Sequence, residues 1–277
     1  MKHYFLLMRL HKPIGIFLLL WPTLWALWLA GSGDPTLSIV MIFVAGVILM
    51  RSAGCVINDF ADRDFDKHVS RTRERPLTLG KITTRNALIL FFILMAMAFG
   101  LVLFLNKLTI LLAFLAAAIA MIYPFLKRFT HFPQAGIGIA FAFGVPMAFA
   151  AQNNVITPDD WQVFLTAALW AFMYDTLYAM TDRLDDIKIG VKSTAIFFGQ
   201  YDRLIIALLQ VILIGLFIQT GYLFHLKWPY FLSVCGAGLL FCYQQMLIKH
   251  RQPDLCFKAF LNNNWVGMII FAGILFS

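Results

Sequence analysis

Charge is what this sequence has least of. Of 277 residues only 13% are Asp, Glu, Lys or Arg, about half the share usual in a soluble domain. Hydrophobic residues make up 61%, more than an interior of ordinary size absorbs, so the outer surface must be apolar as well. Lipid is the solvent that accepts such a surface. Cysteine is sparse too. Cys55, Cys235, Cys242 and Cys256 fall in or beside apolar runs with no CxxC spacing, which leaves them as small hydrophobes and gives no zinc or disulfide framework. No amphipathic, Arg-rich transit segment precedes the first apolar run, which fits a bacterial inner-membrane protein better than an imported organellar one. That run is longer than a signal-peptide core and holds Pro22 with Trp21, Trp25 and Trp28, so it is expected to be retained.

What is present is a series of long apolar runs. A spanning helix needs about 20 mainly apolar residues, and nine segments qualify: 14–30, 38–57, 86–105, 108–126, 132–151, 161–180, 203–224, 228–248 and 255–276. Turn or charge signals separate them, among them Gly31 to Pro35, Asn106-Lys107, Lys127-Arg128 and Asn153-Asn154. The expected fold is therefore an all-α integral membrane protein of about nine transmembrane helices, one polytopic domain over residues 1–277.

Lysine and arginine orient it. With the N-terminus in the cytoplasm, 18 basic residues fall on the cytoplasmic side and only Lys107 and Lys227 on the other. Such an asymmetry is a strong positive-inside signal. The formal net charge of +8 thus reports topology rather than a nucleic-acid partner. The sequence carries no signal for an oligomeric state.

Two linkers on the cytoplasmic side are long and polar. One runs from Asn58 through Asp59, Asp62, Asp64 and Asp66 to Arg71, Glu74 and Arg75; the other runs from Asp175 through Asp182, Asp185 and Asp186 to Lys188 and Lys192. Together they hold nine of the 14 acidic residues. Asn58, Asp62 and Asp66 are spaced by four, as are Asp182 and Asp186, so on a helix each set stacks on one face. Like charges so placed repel, and a hard cation reverses the sign: Mg²⁺ takes carboxylate oxygens and completes its shell with phosphate. Arg71, Arg75, Lys127 and Lys192 are the cations a diphosphate would need besides the metal. A solvated loop is the alternative for either cluster alone. Two clusters at a constant offset of 120 residues (Asp62 to Asp182, Asp66 to Asp186) favour a shared site, as in a parallel internal repeat.

These residues carry a resemblance. Asn58-Asp-x-x-Asp62-x-x-x-Asp66 followed by Arg71-Thr-x-x-Arg75-Pro76-Leu77 resembles the first signature of the UbiA superfamily of intramembrane prenyltransferases. Tyr123-x-x-x-Lys127 and Asp182-x-x-x-Asp186 resemble its tyrosine–lysine pair and its second acidic motif. Arg9-x-x-Lys12-Pro13-Ile14-Gly15, Tyr174-Asp175-Thr-x-Tyr178, Ile189-Gly190-Val-Lys192-Ser193-Thr194 and Asn263-Asn264-Trp265-x-Gly267 are similar to the branch acting on 4-hydroxybenzoate. The resemblance implies nine helices around a central cavity, capped by cytoplasmic Asp-rich loops. It implies transfer of a polyprenyl group from its diphosphate to the ring carbon ortho to the hydroxyl of 4-hydroxybenzoate, in ubiquinone synthesis.

On that reading Asn58, Asp62, Asp66, Asp182 and Asp186 hold Mg²⁺, with Asp59 a weaker candidate because helix neighbours do not share a face. Arg71, Arg75, Lys127 and Lys192 hold the diphosphate, and Tyr123 joins Asp62, Asp66, Asp182, Asp186 and Arg51 in the catalytic set. Arg51 is a charge inside an apolar span, seven residues before Asn58. Such charges are costly and functional by default. It would meet either the acceptor carboxylate or the diphosphate, with simple snorkelling to the interface as the other reading. The rival functions are a superfamily member with another acceptor, such as dihydroxynaphthoate, homogentisate or haem, and a transporter.

Overall fold

The computed structural model describes residues 2–67 and 72–277, the side chains of residues 64–66 excepted. Every regular element among them is helical. In chain order these are α1 (Lys2–Leu7), α2 (Ile14–Ala30), α3 (Leu37–Asp66), α4 (Thr84–Val102), α5 (Lys107–Ile122) and α6 (Pro133–Ala142). There follow α7 (Gly144–Asn153), α8 (Pro158–Ile189), α9 (Thr194–Phe198), α10 (Asp202–Leu223), α11 (Trp228–Leu247) and α12 (Pro253–Leu275).

Short polar side chains set the helix starts. Thr83, Asn106 and Thr157 accept the backbone N–H groups of Asn86, Thr109 and Asp160, which satisfies a donor that each first turn leaves orphaned. Asp160 returns the favour to the Thr157 backbone, closing a capping box at the head of α8. Gly190, at φ 73°, takes the left-handed conformation that stops α8 after 32 residues.

Proline explains two interruptions. The expected span 132–151 is broken at Phe143 into α6 and α7, because Pro146 has no N–H for the Ala142 carbonyl and its ring crowds that turn. Pro124 likewise ends α5, and Tyr123–Arg128 continues as a tighter 3₁₀ turn.

Among the described residues, seven helical stretches are long and apolar enough to cross a membrane: Leu37–Arg63, Thr84–Val102, Lys107–Arg128, Pro133–Asn153, Pro158–Ile189, Thr194–Leu223 and Trp228–His250. The Lys107–Arg128 stretch buries only 17% of its apolar window and the Pro158–Ile189 stretch 61%. The first therefore lies at the rim, and the second runs through the middle of the bundle. Phe92, Phe104, Leu111, Val211 and Leu239 are exposed on the outside, an apolar surface that requires lipid.

The main core gathers Trp25 of α2, Trp170 and Tyr174 of α8, Phe217 of α10 and Tyr230 of α11. Between apolar helices in lipid, close approach and interhelical hydrogen bonds hold the bundle, and α12 supplies both. Asn262 accepts from Gln244 at 3.0 Å, Asn263 from Trp170 at 3.1 Å and Asn264 from Trp21 at 2.9 Å. A Cβ on Gly267 would collide with the rings of Trp21 and Trp170. The Asn263-Asn264-Trp265-x-Gly267 motif is thus a packing device that fixes α12 against α2 and α8.

The structure departs from the expectation of acidic loops. Asn58 to Asp66 is the last two turns of α3, and Asp175 to Asp186 belongs to the last four turns of α8. Basic partners from other segments offset the carboxylate repulsion that would otherwise unwind the end of α3, as the site shows.

Candidate active site

One cavity of about 520 Å³ opens where the C-terminal half of α3 faces that of α8. Its wall on α3 is a helical stripe of Arg51, Cys55, Asn58 and Asp62, at i, i+4, i+7 and i+11, with Asp59 at its flank. The facing wall on α8 is a second stripe, made by Asp175, Tyr178, Asp182 and Asp186. Two helices carrying the same polar periodicity therefore present their acidic ends to one space.

The remaining expected residues arrive from connecting segments. Arg75 comes from the α3–α4 connection, Tyr123 and Lys127 from the 3₁₀ turn after α5, and Lys192 from the α8–α9 connection; all line the same cavity. The 3₁₀ winding means that Tyr123 and Lys127 are not stacked one α-turn apart, yet both reach it. Tyr123 is buried with its hydroxyl against Gly54 of α3, where an added Cβ would stand 3.5 Å from the oxygen. The side chain of Asp66 and the whole of Arg71 lie outside the described residues.

Electrostatic pairing organises the rim. Lys127 forms an ion pair with Asp62, which also accepts a hydrogen bond from the Asn58 amide at 3.2 Å. Asp59, 2% exposed, points to the flank of the stripe, where its Oδ1 meets Arg9 at 2.6 Å and Arg75 at 3.0 Å. It serves as an anchor for two guanidinium groups. Burial is the largest influence on Arg9 and opposes its charge, but Asp59, with smaller contributions from Cys55 and Tyr178, holds the guanidinium protonated more firmly than usual. Deeper in the cavity Arg51 lies over Gly15 of α2, where any Cβ would collide with its guanidinium. Glycine in the Lys12-Pro13-Ile14-Gly15 motif thereby makes room for an intramembrane charge.

Several cavity residues had no assignment from sequence. Arg9 and Asp175 line it, as do Phe257 and Phe260 of α12. The two phenylalanines pack on the α8 wall, with Tyr178 and Phe260 ring centroids 4.8 Å apart and Tyr174 and Phe260 5.9 Å apart. Outside the cavity, Arg183 turns away from its neighbour Asp182 to meet Asp202 of α10 at 2.5 Å. Arg251, ahead of α12, donates to the same carboxylate at 2.9 Å. Asp202 is fully buried, so this clamp ties the acidic end of α8 to α10 and α12.

The donor set suits a hard divalent cation. Asn58, Asp62, Asp182 and Asp186 offer oxygen ligands only, the preference of Mg²⁺ rather than zinc or copper. Among the described residues no three His, Cys, Asp or Glu side chains gather into a ready cage. Mg²⁺ ordinarily takes one or two carboxylates and fills its shell with water and substrate phosphates, which is what two separate acidic helix ends facing a roomy, cation-rimmed space provide.

A protein of Alkalilimnicola ehrlichii named 4-hydroxybenzoate octaprenyltransferase is 54% identical over 98% of this chain and 93% of its own. The apo structure of a UbiA homologue from Aeropyrum pernix K1 superposes with a TM-score of 0.81 at 26% identity, covering 95% of this chain and 97% of that one. A UbiA homologue from Archaeoglobus fulgidus, solved bound to GPP and Mg²⁺, has the same fold, with a TM-score of 0.70 at 17% identity over 99% of this chain and 100% of that one. The model of the UbiA prenyltransferase family matches residues 19–269, which take in both acidic helix ends, the 3₁₀ turn and most of α12. The chain belongs to the UbiA prenyltransferase family.

Proposed function

We infer that this protein transfers a polyprenyl group from polyprenyl diphosphate to the ring carbon ortho to the hydroxyl of 4-hydroxybenzoate, releasing diphosphate. The observation that carries this reading is the single cavity in which two acidic helix ends, a rim of cations and an aromatic wall meet. The name of the Alkalilimnicola relative supports the acceptor and points to an octaprenyl donor.

The chemical difficulty is the departure of diphosphate from an allylic carbon. Mg²⁺ held by Asn58, Asp62, Asp66, Asp182 and Asp186 would supply Lewis acidity for that departure. Arg71, Arg75, Lys127 and Lys192 bind the phosphate oxygens and neutralise the charge that develops on them. Tyr123, Tyr174, Tyr178, Phe257 and Phe260 exclude water and present π faces to the electron-poor allylic carbon. Arg51, on the same α3 stripe two turns before Asn58, meets the acceptor carboxylate. Incubation of the purified protein with octaprenyl diphosphate, Mg²⁺ and an equimolar mixture of 4-hydroxybenzoate, dihydroxynaphthoate and homogentisate tests the assignment. Mass spectrometry should find prenylated 4-hydroxybenzoate in excess; a dominant product from another acceptor would reassign the substrate.

The role of Arg51 has its own signature. Arg51→Ala should raise the KM for 4-hydroxybenzoate about tenfold or more, by loss of a charge-assisted bond, and leave the donor KM near its parental value. A fall in kcat at constant acceptor KM would instead place Arg51 on the departing diphosphate.

The same reading sets the protein in a bacterial inner membrane. Two helices join the seven long spans. The 17 residues of α2 reach about 26 Å at 1.5 Å per residue, close to the hydrocarbon thickness, and α12 crosses because its asparagines are hydrogen-bonded inside the bundle. Nine crossings with the N-terminus in the cytoplasm put the cavity mouth on the cytoplasmic face. Single cysteines at Lys81 and Lys188 in a cysteine-free background should react with an impermeant maleimide only in inside-out vesicles. Labelling of either in intact spheroplasts would invert the topology.

A further inference from the structure

We propose that Asp175 is a further catalytic residue, which accepts a hydrogen bond from the ring hydroxyl of the aromatic acceptor and so selects acceptors that carry one. The proposal rests on the function given above and deepens it at the acceptor end of the cavity.

The observation behind it is a carboxylate with no other task. Asp175 lies in the Pro158–Ile189 stretch, which is long and apolar enough to cross a membrane, and a charge in such a place is costly and functional by default. It lines the cavity, yet among the described residues it makes no hydrogen bond or ion pair. Two ordinary explanations fail. Asp175 stands seven residues before Asp182, about 10 Å of helix rise, whereas ligands of one Mg²⁺ must all come within about 2 Å of it. It is therefore set apart from a metal held at the end of α8. Nor is it tied up by Arg51. The two act on each other electrostatically, but no ion pair joins them. The hydroxyl of the neighbouring residue, Tyr174, is likewise buried without a hydrogen-bond partner. Unsatisfied polar groups are destabilising, and a polar ligand at this level of the cavity accounts for their being kept.

Charge decides which group of the ligand Asp175 receives. A carboxylate repels the diphosphate and the carboxylate of the acceptor, so its partner must be a hydrogen-bond donor. The acceptor has one, the ring hydroxyl, para to its carboxylate. Arg51 is seven residues before Asn58 on α3 and Asp175 is seven before Asp182 on α8. Cation and carboxylate thus stand on opposite walls, both set back from the acidic helix ends. An acceptor with its carboxylate on Arg51 brings its hydroxyl to Asp175, and its ring spans the gap that keeps the two side chains from pairing. A hydroxyl that donates to a carboxylate releases electron density to the carbons ortho and para to it. The para carbon carries the carboxylate, which leaves the ortho carbon to meet the allylic carbon of the donor.

The test compares 4-hydroxybenzoate with 4-methoxybenzoate, which keeps the electron-donating oxygen and loses only the hydrogen-bond donor. Steady-state kinetics use the full-length protein in proteoliposomes with octaprenyl diphosphate and Mg²⁺, and Asp175→Asn and Asp175→Ala as variants. The parent should prefer 4-hydroxybenzoate in kcat/KM by about 10⁴-fold, as sites built around a substrate hydroxyl do. Both variants should lose about tenfold or more on 4-hydroxybenzoate and nothing on 4-methoxybenzoate, so that the preference narrows by at least that factor. The donor KM should stay within about twofold of the parent. Calorimetric titration of the two benzoates into protein holding Mg²⁺ and inorganic diphosphate should show the same narrowing in Kd without turnover. Equal losses on both acceptors would overturn the proposal, because they would mean that Asp175 only supports the wall or balances Arg51. A raised donor KM with the preference intact would also overturn it, by placing Asp175 with the metal and the diphosphate. If the parent prenylates a different phenol, the functional reading fails. The same comparison with that phenol and its methyl ether then still reads Asp175, and a preference unchanged in Asp175→Asn overturns the proposal by itself. A parent that prenylates no phenol overturns both.

Discussion

Replacing Asp62 or Asp186 by alanine is expected to reduce turnover by about 10²–10³-fold, the scale of losing one preorganised contact to a developing charge. Each residue lies on the cavity stripe of its own helix, Asp62 on α3 and Asp186 on α8. The two changes should nevertheless differ in one respect. Asp62 is an ion-pair partner of Lys127, so Asp62→Ala disturbs a diphosphate-binding cation as well as the metal, and its donor KM should rise further than that of Asp186→Ala. Chelation with EDTA should abolish turnover in the parent, with restoration by added Mg²⁺. Near-parental rates in both variants would remove the acidic helix ends from the mechanism.

The largest expected effect on stability lies outside the cavity. Asp202 is fully buried and receives Arg183 at 2.5 Å and Arg251 at 2.9 Å. Arg183 also donates to the carbonyls of Ala195 and Gly199, so the clamp joins α8, the α9 turn, α10 and the approach to α12. Breaking a buried ion pair from one side costs about 3–5 kcal/mol, because the partner charge stays buried and uncompensated. Asp202→Ala should fall near the lower end of that range, since Arg251 is more than a third exposed and can turn to water. Unfolding in detergent, followed by SDS titration, measures it. Arg251→Ala should cost less than Asp202→Ala. A loss below about 1 kcal/mol for Asp202→Ala, the worth of an exposed pair, would mean that the clamp does not secure the end of α8.

How much of this could be read beforehand follows from periodicity. Asn58 with Asp62, and Asp182 with Asp186, were legible because a spacing of four stacks side chains on a helix, and the structure carries both sets on helix ends that face one cavity. Asp175 begins the same linker, seven residues before Asp182, but with alanine at 171 and 179 it has no acidic partner four residues away to mark it as a ligand. Arg9 had no periodic signal at all, since it lies in a turn whose left-handed backbone only coordinates reveal. Asp59 looked like a poor ligand for a sound reason, its angular offset from Asn58; that offset is what lets it hold Arg9 and Arg75.

The fold shows the same division. Long apolar runs mark helices well, because a backbone in lipid must satisfy its hydrogen bonds internally. The break at Phe143 was foreseeable from Pro146, yet the run of apolar residues around it reads as one span. Aromatic pairing was not legible: among 28 phenylalanines nothing local distinguishes Phe257 and Phe260 until α12 is packed against Tyr174 and Tyr178. Of the three asparagines of α12, Asn263 and Asn264 read as part of a family motif and Asn262 did not. Their physical task, accepting hydrogen bonds from Trp21, Trp170 and Gln244, depends on three other helices.

The central claim is that the ends of α3 and α8 together hold a divalent cation against the donor diphosphate. It is tested most directly by determining the structure with Mn²⁺ and a non-hydrolysable thio-diphosphate donor analogue, using anomalous scattering to locate the metal. The account predicts Mn²⁺ in the cavity, bound to at least one carboxylate from each helix and to phosphate oxygen, with Arg75, Lys127 and Lys192 on the remaining oxygens. A diphosphate bound elsewhere, or metal held by only one of the two helix ends, would contradict it.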